Sequence, residues 1–327
     1  MCKQSETSRN SQLLEITGEF LDEIKAAQAE NSVSSWVAGR TCWYDGYVPL
    51  SCSHAAMDGP SELTIALTLE DVPSVQVDDV DASDLPPRVD WRFLDPRGYP
   101  WMDAVEFQGL SFACLPFALT AVAESLARTA TGDPTLPSLS EADLLFGSGG
   151  NCWAPFDDPR PALAHLHETG ILTHEDWPFE GCNPPGFDTD KVRRAGRRTR
   201  ASEIAWVFVK NDPTAARWWL ANCGPLLAIL SPARDFLLYR AGTYVPVLRD
   251  QWMGAHAVAL IGYDDVRNAW LCRNSWGRNW GEDGCCWIPY GPEDNCGILA
   301  PKMYGVNRFS MVNGVKVDTP PFYTGRK

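Results

Sequence analysis

With 327 residues the chain is long enough for two lobes and an appendage around a large buried core. Its net charge of -14 argues against a general nucleic-acid binder, and no apolar run of about 18 residues marks a membrane-crossing helix. Eleven cysteines contain no Cys-x-x-Cys pair, so no metal or other cofactor is expected. The polar start, Met1-Cys2-Lys3-Gln4-Ser5-Glu6, lacks the apolar stretch of a secretion signal. That points to a cytoplasmic protein with mostly reduced thiols, whereas the cysteine count points outward.

In chain order, Leu13, Leu14, Ile16, Phe20, Leu21, Ile24 and Ala27 fall on one helical face, which predicts an amphipathic helix. Residues 70–86 are acidic and proline-bearing (Asp78, Asp79, Asp81, Asp84, Pro86) and read as an exposed linker. Phe117 to Ala127 is apolar nearly all round and predicts a buried central helix. Ser140-Glu141-Ala142-Asp143 reads as a second helix start, and Ala162 to Thr169 as a third helix stopped by Gly170. The basic cluster Lys191, Arg193, Arg194, Arg197, Arg198 and Arg200 reads as a solvated helix or loop. From about residue 200 onward short strands dominate: Ala205–Val209, Leu226–Leu230, Ala257–Gly262, Ala269–Cys272 and Cys286–Ile288.

Four residues stand out for chemistry. Gln108 lies six residues before Cys114, His256 opens a strand-like run, and Asn274 opens Asn274-Ser275-Trp276-Gly277. From Cys114 to His256 is 142 residues, and to Asn274 it is 160. A thiol needs help to ionise at neutral pH, and Cys114 at the start of the central helix has the helix dipole in its favour. Pro116 fits the first helical turn. Of five histidines, only His256 precedes both a strand-like run and the Asn-Ser-Trp-Gly segment.

This pattern resembles the papain superfamily of cysteine peptidases, nearer its cathepsin B branch. The resemblance covers residues 87 to about 308 well. It implies an α+β, papain-like two-lobe fold: a propeptide-like segment over 1–86, a helical lobe over 87–200 and a β-rich lobe over 201–327. Trp36-Val37-Ala38-Gly39 resembles the turn that follows the helix of a cathepsin B-like propeptide. Pro87-Arg88-Val89-Asp90-Trp91 resembles the start of a mature domain. The resemblance implies that Cys114 is the nucleophile, His256 its ion-pair partner and general acid, and Asn274 the group that orients the ring. Gln108 would be an oxyanion donor beside the Cys114 backbone N–H. Substrate contacts are implied at Trp276, Leu115, Asn151, Ala255 and Leu299. The implied partners are a peptide or amide substrate and the chain's own N-terminal segment as inhibitor, with no nucleic acid and no membrane.

The departures are also legible. Ser111 stands where the family has a disulfide cysteine, Phe112-Ala113 replaces Gly-Ser, and Leu115 replaces the tryptophan lining the cleft. Cys152 therefore lacks its usual partner, with Cys182 as an alternative and a reduced thiol equally compatible. The segment Gly149-Gly150-Asn151-Cys152-Trp153 has lost the second glycine of the substrate-pairing stretch. The histidine-bearing occluding loop of cathepsin B is absent. These changes leave two further readings: an acyltransferase, amide-forming enzyme or specialised amide hydrolase on this fold, and a non-catalytic binding relative.

Overall fold

A computed structural model describes residues 13–31, 35–49, 74–75, 81–93, 101–153, 158–180, 198–208, 213–291 and 302–312. Its centre is an eight-stranded sheet. The strands are β4 (Ser74–Val75), β5 (Arg88–Asp90), β6 (Arg198–Phe208), β7 (Leu226–Leu230), β9 (His256–Asp264), β10 (Ala269–Arg273), β11 (Cys285–Pro289) and β12 (Lys302–Val312). They run in the order β11-β10-β9-β7-β12-β6-β4, with β5 added to β9. All nine residues of β9 are buried, which explains a sequence without polar alternation. Its pairing with β7 sets Leu230 opposite His256, and its pairing with β10 sets Arg273 opposite Ala259. His256 therefore opens a fully buried central strand, and Asn274 follows directly on the next one.

Helix α2 (Cys114–Thr131) packs against β9. It is buried around almost its whole circumference and ends at Gly132, whose φ of 66° is the left-handed conformation glycine adopts without strain. Helix α3 (Glu141–Gly147) starts as the sequence suggests, with the Ser140 hydroxyl accepting from the Asp143 N–H at 2.9 Å. Helix α4 (Arg160–Ala164) continues into a π-turn over His165–Thr169 and stops at Gly170. Helix α5 (Thr214–Asn222) lies in the region read as strands, and it buries Ala216, Trp219 and Leu220. None of the helices among the described residues is long and apolar enough to cross a membrane.

The N-terminal segment departs from its expected single helix. Leu13 and Leu14 belong to a short strand, β1 (Leu13–Glu15), paired with β3 (Tyr47–Pro49). Helix α1 (Gly18–Glu30) begins only after Thr17, whose hydroxyl caps it by accepting from the Phe20 N–H. Apolar spacing alone ran the helix through a capping residue. Phe20, Leu21 and Ile24 are buried as anticipated. Strand β2 (Val37–Ala38) pairs with β8 (Tyr239–Ala241), docking the segment on the body of the protein. Trp36 donates its indole N–H to Val245 O at 2.8 Å and packs on Tyr239 and Tyr244. Gly242 makes this possible: a Cβ there would lie 2.9 Å from the Trp36 Cα.

Arg198 and Arg200, read from sequence as loop or helix, lie in β6 paired with β12. The rest of that basic cluster lies outside the described residues, as does most of the acidic stretch 70–86. Strand β6 also straddles position 200, where the expected lobe boundary falls.

Candidate active site

Asn274 Oδ1 lies 2.7 Å from His256 Nε2 and also accepts the Ser275 backbone N–H at 2.8 Å. The second contact fixes which end of the amide faces the ring, because a backbone N–H needs an oxygen. Nε2 must therefore carry the proton, and Nδ1 is the basic nitrogen of the neutral imidazole. Trp276 covers the pair, its ring centroid 4.9 Å from that of His256 at 35°. His256, Asn274 and Trp276 are each 4% exposed, so water competes little for the bond between histidine and asparagine.

Cys114 is the first residue of α2, and no side chain caps the turn it opens. The backbone N–H groups at this helix start favour negative charge on the sulfur. Phe117, Ala121 and Glu124 share the Cys114 stripe of α2, as helical spacing requires. Those three residues line one small cavity together with Asn274 and Ser275. The face that carries the thiol is thus turned toward the segment after β10, and Cys114 shares the main core with Trp276.

Gln108 is held at both ends of its amide. Its Oε1 accepts from the Ser275 hydroxyl at 2.5 Å, and its Nε2 donates to Ser111 O at 2.7 Å. Its backbone N–H donates to Ser275 O at 2.9 Å, and the Ser111 hydroxyl donates back to Gln108 O. One Nε2 hydrogen is spent on Ser111, and the second remains for an oxyanion. Gly109 turns this loop at a φ of 63°. Ser275, which sequence reasoning passed over, is the residue that orients Gln108. Its position between Asn274 and Trp276 was the available signal.

The remaining expected contacts are dispersed. Phe107 forms an antiparallel bridge with Trp276, and Trp43 of the N-terminal segment packs on both, at 5.2 and 5.6 Å between centroids. Leu115 is 2% exposed and belongs to the main core, so its side chain fills the interior instead of lining a cleft. Asn151 is exposed and its Oδ1 accepts from the Trp153 N–H. Ala255 is half-buried. Leu299 and Cys182 lie outside the described residues. Cys152 packs with Ala113, Phe117 and Leu145, and its carbonyl accepts the Phe112 N–H at 3.0 Å. A hydrogen bond thus ties the loop before Cys114 to Cys152, with Ser111 in place of the cysteine that the resemblance would expect there.

Behind Asn274 lies a charged cluster with no local sequence pattern. Glu106, Glu141 and His174 bring ligand atoms within 4.8 Å of one another. Glu141 Oε2 is 3.5 Å from His174 Nδ1, and the carboxylate raises the pKa of that imidazole. Burial, together with Glu141, pushes the Glu106 carboxyl up and that of Glu124 up to about 8. Two carboxylates and an imidazole are an acceptable donor set for a divalent cation. However, Arg273 contributes a fixed positive charge to the same cavity and opposes one.

Comparison with known proteins gives a consistent result. Residues 85–306 match the papain family of cysteine proteases. Fruit bromelain of Ananas comosus is 26% identical over 253 residues, covering 74% of this chain and 65% of its own. The chain thus spans about two thirds of that relative's length. Procathepsin B S9 from Trypanosoma congolense superposes with a TM-score of 0.66 at 20% identity, covering 89% of this chain and 98% of its own. A cysteine protease of Carica candamarcensis in complex with E-64 superposes with a TM-score of 0.56 at 26% identity, covering 68% and 99%.

Proposed function

The chain belongs to the papain family of cysteine proteases, and on that premise we propose that it is a thiol peptidase acting through Cys114, His256 and Asn274. The Cys114 thiolate attacks the carbonyl carbon of a peptide or amide. The His256 imidazolium protonates the departing amine, leaving an acyl-enzyme. The neutral His256 then takes a proton from water, which attacks the thioester and restores the thiol pair. The Cys114 backbone N–H and the second Gln108 Nε2 hydrogen stabilise the oxyanion, each donor contributing roughly 3–4 kcal/mol. The docked N-terminal segment acts as an inhibitor, since Trp43 sits over the Phe107–Trp276 wall beside the reactive pair.

The observation that carries this reading is the His256–Asn274 contact at 2.7 Å, with the amide end fixed by Ser275. It orients Nδ1 as the base, a preparation that a binding module has no use for. The test, after removal of residues 1–86, is reaction with an epoxide of the E-64 type, followed by mass spectrometry, together with hydrolysis of a fluorogenic peptide library. Label on Cys114, absent from Cys114→Ala, with peptides cleaved, is expected. Label without cleavage would move the assignment to acyl transfer, and no label would remove the catalytic assignment altogether.

A further inference from the structure

Asn274 Nδ2 is buried and has no hydrogen-bond partner among the described residues. An orphan amide N–H in an interior costs about 1–3 kcal/mol, and here it belongs to the residue that orients the histidine. Asn274 lines a cavity together with Asp103, Glu106, Glu124, Glu141, Arg273 and Ser275. The cavity holds about 10 Å³ for the centre of a water-sized sphere, room for about one molecule. Glu141 Oε2 is a second buried atom there with no hydrogen-bond partner among the described residues. A water making two hydrogen bonds of about 2.8 Å bridges oxygens about 4.6 Å apart. The Glu106 and Glu141 oxygens lie within 4.8 Å of each other.

We infer that one buried water accepts from Asn274 Nδ2 and donates to the carboxylates of Glu106 and Glu141, making these two glutamates positioning residues for the Asn274–His256 pair. The inference rests on the peptidase reading of Cys114 and His256. Negative charge on this carboxyl pair, at the far end of the amide, polarises it, so that Oδ1 becomes a stronger partner for a charged imidazole. A neutral asparagine then carries part of the effect of a carboxylate without placing a charge against the ring.

The other charged groups around the cavity are engaged elsewhere. Asp103 accepts from Arg128 and from the Ser138 hydroxyl. Glu124 accepts the Leu139 N–H at 2.6 Å. Arg273 donates to the carbonyls of Asp103 and Ala104. His174 stands 3.5 Å from Glu141, and its charging at low pH weakens the field that reaches Asn274.

The test is the rate of Cys114 alkylation by iodoacetamide as a function of pH, read by mass spectrometry on the full chain and on Glu106→Gln, Glu141→Gln and the double variant. In the unaltered chain a thiolate–imidazolium pair holds alkylation at mildly acid pH above that of an ordinary thiol, the docked segment slowing parent and variants alike. In the variants the upper apparent pKa, where His256 loses its proton, is expected to fall by half to one unit. That is about twofold to fivefold less paired thiolate at the unaltered chain's upper midpoint. Variants whose profiles superpose on the unaltered chain overturn the inference and leave the peptidase reading intact. If the unaltered chain itself shows no alkylation above that of an ordinary thiol, the catalytic reading fails first. Thermal melts verify folding. Should the glutamine variants unfold, magnetisation transfer from water to the Asn274 side-chain amide in the unaltered protein decides. A cross-peak to a long-lived water supports the inference, and its absence overturns it.

Discussion

The sense of the Gln108 amide is fixed by its Nε2 bond to Ser111 O, a carbonyl that can only accept, and the Ser275 hydroxyl anchors its oxygen. Ser275→Ala removes the donor and leaves Gln108 Oε1 buried without its partner, a loss of about 1–3 kcal/mol. Nε2 still donates to Ser111 O, so the amide keeps its sense but loses its second anchor and swings more freely about that bond. We expect kcat to fall about tenfold with KM nearly unchanged, less than the loss for a donor removed outright. Steady-state kinetics on a peptide substrate check this; a change confined to KM would assign Ser275 to substrate binding. Glu124 allows a separate test, of stability. Its pKa in the fold, about 8, lies above the ordinary 4.5. Stability tied to the neutral form is therefore complete below pH 4.5 and is lost progressively as pH rises to about 8. Glu124→Gln keeps an oxygen for the Leu139 N–H and cannot ionise. Its Tm is expected to gain on the unaltered chain by several degrees between pH 5 and pH 8.5, and parallel melting curves would contradict that.

At the scale of elements, the site depends on how closely strands cross. A Cβ on Gly262 would lie 2.1 Å from Val89 O, so β5 can pair with β9 only over glycine. Gly262→Ala must push β5 away from the strand that His256 opens. A cost of about 1–3 kcal/mol is expected, seen as a lower urea midpoint with an unchanged slope. A neutral result would show that β5 shifts without effect. The same elements show what a single chain makes legible. Strands β7, β9, β10 and β11 were readable because apolar runs between turn residues have one interpretation, and α2 because an all-round apolar helix must be interior. The segment Leu13–Glu15 was misread because its apolar spacing continues that of α1. Only the cap at Thr17 and the pairing with β3 separate them. Helix α5 and strand β12 were hidden by the strand-like neighbours around them. Within the site, residues that share a motif were found. Ser275's role and the Glu106–Glu141–His174 cluster were not, because distant segments create those contacts and no periodicity announces them.

At the scale of the whole molecule, the N-terminal segment behaves as a tethered ligand. Ile16, Phe20, Leu21, Ile24, Trp36 and Trp43 are all buried, a gross gain on the order of 10 kcal/mol before chain entropy is subtracted. The tether raises their effective concentration, so on the proposed inhibitory reading even moderate docking would keep the cleft covered. Trp36 is the anchor: its indole N–H reaches Val245 O and its ring meets Tyr239 and Tyr244. The Trp43 indole N–H, in contrast, is buried without a hydrogen-bond partner among the described residues. The part of the segment that covers Trp276 is held by its neighbours instead, the Cys42 thiol donating to Trp276 O at 3.2 Å and the Thr41 hydroxyl to Leu237 O at 2.8 Å. Trp36→Ala removes the anchor and costs about 3–5 kcal/mol of docking. That shifts the docked-to-released ratio by two orders of magnitude or more. Epoxide labelling of Cys114 in the uncleaved variant is expected to run at least tenfold faster than in the uncleaved parent, with intact mass confirming that the segment is still attached. Equal rates would mean that the segment lies against the cleft without barring it, and inhibition would then have to come from residues other than Trp36 and Trp43.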